Sequence, residues 1–148
     1  MPRHLNYVEP YFGGGSILLS RNPDDPSLWM DDHKGVAEVV NDIDRDLSTF
    51  WSVLQGEDSF ARFRRAVEAV PFSEAEFARV GDRLASDDPV ERAVGFFVKC
   101  RLSLAGRMDA FTGLTKTRVR AGMSNEVSAW LSAVMKWVMG RPTTSSRV

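Results

Sequence analysis

Tyr7-Val8-Glu9-Pro10-Tyr11-Phe12-Gly13-Gly14-Gly15-Ser16, followed further along by Val36-Ala37-Glu38-Val39-Val40-Asn41-Asp42, is the part of the chain that decides its fold. Leu5 to Val8 is short and β-prone, and it runs through Glu9-Pro10 into three glycines and then the apolar Ile17-Leu18-Leu19. That order reads as strand, tight turn, helix. Val36 to Val40 reads as a second, buried strand that ends at Asn41-Asp42. Two strands joined through a helix make a βαβ unit, so the expected fold class is α/β.

Downstream the period changes from two to 3.6. Leu47, Phe50, Trp51 and Leu54 recur at helical spacing until Gly56, and Phe60, Phe63, Val67 and Val70 repeat the pattern until Pro71. Ser73 and Glu76 have capping-box spacing with Phe72 and Phe77 flanking, which predicts a helix starting at Glu74. Asp88-Pro89 predicts a capped start for the next, with Val90, Val94, Phe97 and Val98 inward and Gly106 as its end. A last helix is expected from Asn125 to Met139, capped by Ser124. The expected organisation is a βαβ half-domain over 1–56, a mostly helical segment over 57–139 and a disordered tail over 140–148.

Charge is distributed unevenly. The net charge is −1, but residues 1–60 carry 4 basic and 11 acidic side chains, residues 61–98 carry 6 and 7, and residues 99–148 carry 9 and 2. A polyanion partner therefore belongs to the last third. No apolar run is long enough for a membrane span and the N-terminus lacks a signal-peptide core, so a cytoplasmic location and no membrane partner are expected. Cys100 is the only cysteine, and it reads as a core residue in a helix. His4 and His33 read as isolated loop residues, and Asp24, Asp25, Asp31 and Asp32 lack calcium-loop spacing, so no metal is expected.

A strand ending in an acid and feeding a glycine turn suits a nucleoside cofactor, because the missing Cβ atoms let a ligand approach the backbone. Three glycines can also be no more than a flexible turn. Asp42, at the end of the second strand, can accept the ribose hydroxyls of an adenosyl ligand. Asp44 is the better candidate to cap the following helix, which leaves Asp42 free for a ligand.

YVEPYFGGGS together with VVNDIDRDLSTFWSVL resembles the first two blocks of the Dam-type adenine-specific DNA methyltransferases, and FFVKCRLSLAGRMDAFTGLTKTRVRAGM with NEVSAWLSAV is similar to a later segment of that family. The resemblance runs from Tyr7 to Val134. It implies an incomplete Rossmann-like fold that binds S-adenosylmethionine (SAM). Glu9, Pro10, Phe12, Gly13 and Gly15 would border the methionine side of the cofactor, Asp42 would hold its ribose, and Ile43 would lie beside its adenine. The implied activity is methyl transfer from SAM to the adenine amino group in double-stranded DNA.

Lys99, Arg101, Arg107, Lys116, Arg118 and Arg120 fall in a stretch with a single acid, Asp109. Its positive potential suits DNA phosphates, which bind cations without reading bases. A solvated charged face is the plain alternative. Thr115, Thr117 and Ser124 could donate to phosphate oxygens, and the resemblance places this stretch, with Arg101, Arg107, Lys116, Arg118 and Arg120, next to the DNA. An enzyme that modifies a base must also hold it flipped. The family's Asp-Pro-Pro-Tyr block does this, and the sequence contains no such block. No catalytic residue is therefore assigned, and a truncated form that binds without transferring is expected. A non-catalytic DNA-binding subunit is the alternative, with a dinucleotide-dependent oxidoreductase disfavoured because GGG replaces GxGxxG.

Overall fold

A computed structural model of the chain describes residues 2–22, 25–30 and 35–139. Among these, the architecture is mixed α/β and mostly helical, with seven α-helices and one two-stranded parallel sheet. The expected tail over 140–148, together with Asp24, Asp31, Asp32 and His33, lies outside the described residues. The chain divides into two units, Met1–Ser48 and Thr49–Val148.

In the first unit, β1 (Asn6–Glu9) and β2 (Ala37–Val40) pair in parallel with Tyr7 opposite Glu38 and Glu9 opposite Val40. The crossover between them contains α1 (Ser16–Ser20) and a 3₁₀ turn (Pro26–Leu28) that Asp25 caps through the Ser27 N–H. A parallel connection needs such a crossover, so the βαβ reading of the glycine turn holds. The expected burial of the second strand does not: all four residues of β2 are exposed. A short Val-rich run specifies a strand but not what covers it. Among the described residues, every buried apolar side chain belongs to the second unit.

That second unit contains most of α2 (Arg45–Gln55), with α3 (Glu57–Ala69), α4 (Glu74–Ala78), α5 (Val80–Leu84), α6 (Pro89–Leu102) and α7 (Asn125–Met139). Phe50 of α2 and Phe63 of α3 meet Phe97 of α6, with centroid separations of 6.4 Å and 5.8 Å, and Trp130 of α7 closes on Phe97 at 5.6 Å. Edge-to-face contact between Phe50 and Phe63, at 5.7 Å and 78°, is the favoured geometry for aromatic quadrupoles. Val94, Val98 and Leu102 continue the buried stripe along α6. Other positions of the expected helical stripes lie at its margin, since Leu47, Trp51 and Phe60 are only half-buried.

The caps follow the sequence with three adjustments. Ser73 accepts from the Glu76 N–H as a capping box requires, but the Glu76 carboxylate pairs with Arg79 and Arg83. Phe72 and Phe77 both pack on Phe111. Asp88 caps α6 through the Val90 N–H, yet α6 ends at Leu102 rather than Gly106. Ser103 turns extended at φ −83 and ψ 149, which breaks the helical ladder before the glycine, and a 3₁₀ turn, Leu104–Gly106, follows with Ala105 in the left-handed region at φ 52. Cys100, expected in the core, is half-buried.

Phe63 is 1% exposed at the centre of the aromatic cluster. Phe63→Ala should cost about 3–5 kcal/mol of unfolding free energy in chemical denaturation, by lost transfer energy and the cavity left behind.

Candidate functional site

The register of β1 and β2 brings the glycine turn alongside Asn41 and Asp42. Pairing continues past both strands, with the Asn41 N–H donating to the Glu9 carbonyl at 2.9 Å and the Phe12 N–H to the Asn41 carbonyl at 2.9 Å. The Gly13 N–H then donates to Asp42 Oδ2 at 2.9 Å, joining two residues 29 apart in sequence. On the other carboxylate oxygen, Asp42 Oδ1 accepts from the Asp44 N–H at 3.0 Å. The carboxylate is thus not free, as the sequence suggested, but clamps the turn to the approach of α2. Asp44 performs the expected cap, accepting from the N–H groups of Asp46 and Leu47.

The turn itself needs glycine for two separate reasons. Gly15 lies at φ +67, and a Cβ there would stand 2.6 Å from the Phe12 ring, so side-chain packing and backbone both exclude one. Gly13 lies at φ +52 with nothing within 4 Å of its missing Cβ, leaving its backbone uncovered on that side. The helix that follows has only five residues. Ile43, beside Asp42, is 88% exposed, and Pro10 is exposed at the mouth of the turn.

Glu9 is buried and accepts a hydrogen bond from the Tyr7 hydroxyl. Donation to Glu9 holds the Tyr7 phenol above its ordinary 10.0. The Arg21 guanidinium stacks 3.7 Å from the Tyr7 ring centroid, lies 3.6 Å from Glu38 and is 3.0 Å from His4 Nε2. Since Arg only donates, His4 Nε2 accepts and its Nδ1 carries the proton, 2.7 Å from the Pro2 carbonyl. His4 is therefore not the isolated loop residue expected. Sequence reading missed Arg21 altogether, and its position at the end of α1 was the available signal.

The basic stretch forms two consecutive turns within the second unit. In the first, the Thr112 N–H donates to the Leu102 carbonyl and the Leu104 N–H to the Ala110 carbonyl, with Arg107 exposed on it and Arg101 exposed just before it in the last turn of α6. In the second, the Val119 N–H donates to the Met123 carbonyl and Arg118 bridges to Ser124, with Lys116 and Arg118 exposed. The Arg120 side chain lies outside the described residues. Met108 and Ala121 adopt positive φ in this segment, like Ala105 before them, the kind of costly backbone that persists where surroundings dictate it.

Not every expected phosphate donor is available. Ser124 is buried and accepts from the Val127 N–H as the cap of α7. Thr115 donates both its N–H, at 3.1 Å, and its hydroxyl, at 2.9 Å, to Glu126 Oε2, while Arg118 Nη1 donates to the Thr115 carbonyl at 2.8 Å. Glu126 lies just beyond the basic stretch, and its place in the first turn of α7 gave no hint that it reaches back.

No protein-family model, no curated protein and no solved structure matches the chain. Among the described residues no helix is long and apolar enough to cross a membrane, and no group of His, Cys, Asp or Glu side chains has the makings of a metal site.

Hydrogen bonds from the Asp44 and Gly13 N–H groups hold the Asp42 carboxyl below its ordinary 3.8. A depressed carboxyl stabilises the clamp above that ordinary value and releases it as pH falls through the lower, folded value. NMR should accordingly find Asp42 titrating below 3.8, with hydrogen-exchange protection of the Gly13 amide lost over the same range and absent in Asp42→Ala at neutral pH.

Proposed function

We propose that this chain is the SAM-binding and DNA-contacting part of an adenine-specific DNA methyltransferase, built on the opening βαβ unit of a Rossmann-like fold. The observation that carries this reading is the bond from the Gly13 N–H to Asp42. It sets an uncovered glycine turn beside the acid at the end of the neighbouring parallel strand, the arrangement in which open α/β sheets hold nucleosides. A carboxylate has about four lone-pair sites. Gly13 and Asp44 use one on each oxygen, so both oxygens retain capacity for the ribose hydroxyls. The exposed Ile43 offers the adenine ring an apolar contact, and Glu9, Pro10, Phe12 and Gly15 shape the side of the turn where the methionine moiety would lie.

On this reading Arg101, Arg107, Lys116, Arg118 and Arg120 meet the DNA phosphates and set affinity without reading sequence. No residue of the chain is assigned to holding the flipped adenine, so binding without methyl transfer is expected of it. Concentration of the apolar core in the second unit favours one competing reading, a DNA-binding module with no cofactor. DNA binding without any SAM binding would decide for it.

Calorimetry with SAM should detect binding to the wild-type chain and a loss of roughly tenfold or more in Asp42→Ala, since a charged acceptor for two hydroxyls is removed. Absence of SAM binding to the wild type would end the cofactor proposal. For the basic turns, Lys116→Ala with Arg118→Ala should weaken binding to all duplex sequences alike and lower the log-affinity against log-salt slope by about 2, one for each phosphate contact. A loss confined to one sequence would make these residues readers of bases.

A further inference from the structure

We infer that the Thr115 N–H and hydroxyl form a seat for a DNA phosphate oxygen, and that Glu126 occupies this seat until DNA displaces it. The inference rests on the DNA-contacting role of the basic turns and adds where one phosphate sits and what it must replace.

The seat already holds an anionic oxygen. Glu126 Oε2 takes both Thr115 hydrogen bonds, at 3.1 Å and 2.9 Å, and a backbone N–H paired with a Thr hydroxyl is a donor set that proteins commonly offer to phosphates. A cation stands beside it, because the Arg118 guanidinium is fixed to the Thr115 carbonyl at 2.8 Å, which engages one of its five donors. Lys116 is the next residue in the chain and is exposed. A phosphate oxygen entering the seat would replace two hydrogen bonds by two, and the duplex that carries it would bring further phosphates to the exposed Lys116 and Arg118.

Release of Glu126 is inexpensive. The residue lies in the first turn of α7, where its negative charge is favoured whether or not it reaches Thr115. The Thr115–Glu126 contacts are exposed to solvent, so water and ions reach the exchange directly. In the free chain the same contacts tie Thr115 to the first turn of α7.

A double-mutant cycle on the full chain tests this by fluorescence anisotropy with a labelled duplex at two salt concentrations. Glu126→Ala should tighten binding, as should Glu126→Gln to a smaller degree, and Thr115→Val should erase most of that gain. The coupling expected between the two positions is roughly 2–5-fold, the lower range for residues in direct contact. If the gain from Glu126→Ala survives intact in the Thr115→Val background, Glu126 acts only as a nearby charge and the seat is wrong. If both Glu126 variants weaken binding with α7 helicity and melting temperature unchanged, Glu126 braces the loop for DNA instead of competing with it, which also overturns the inference. A wild-type chain that binds no duplex at low salt would sink the DNA reading itself, and the seat with it.

Discussion

The Asp42 carboxylate is the constraint on which the first unit depends. Its two oxygens hold the Gly13 and Asp44 N–H groups, so one side chain fixes the glycine turn after β1, the end of β2 and the entry to α2. A larger domain would leave that task to apolar packing. Here the described residues of Met1–Ser48 contribute no buried apolar side chain, and a two-stranded sheet has little stability of its own. Polar contacts must therefore specify the geometry, and the Arg21 stack on Tyr7 with Glu38 and His4 is the second of them.

This explains which parts of the molecule were legible in the sequence. Helix starts were, because caps are local: Ser73, Asp88, Ser124 and Asp44 each accept an N–H two or three residues on. The parallel pair was legible for a similar reason, since the glycine turn and the Val-rich run leave few other topologies. Burial of β2 was not, because a run of Val fits a covered or an open strand equally well. The end of α6 was misplaced because a glycine suggested the stop, whereas the backbone already turns extended at Ser103.

Site residues divide along the same line. That Gly13 and Asp42 are neighbours followed from sequence because parallel pairing of β1 with β2 brings the residues after each strand side by side. For Arg101, Arg107, Lys116 and Arg118, only their exposure and their place at the end of α6 or on the two turns emerge. The partners that matter there, Thr115 with Glu126 and Arg118 with the Thr115 carbonyl, depend on how a loop folds back on a helix. No periodicity encodes that.

Both units use one device, an acid beyond a loop that reaches back to a backbone N–H, yet the two contacts serve opposite ends. Asp42 has a short side chain, is half-buried, and spends both oxygens on backbone donors on either side of it. Displacing it would free two amides and detach the turn from the sheet, so any ligand at this site must add to Asp42 rather than replace it. Glu126 has a longer side chain and grips Thr115 through a single oxygen at an exposed position. Detaching it leaves the helix that carries it capped by Ser124, so a competing anion can take its place at little structural cost. Side-chain length, exposure and the number of backbone groups held thus separate a fixed clamp from an exchangeable one.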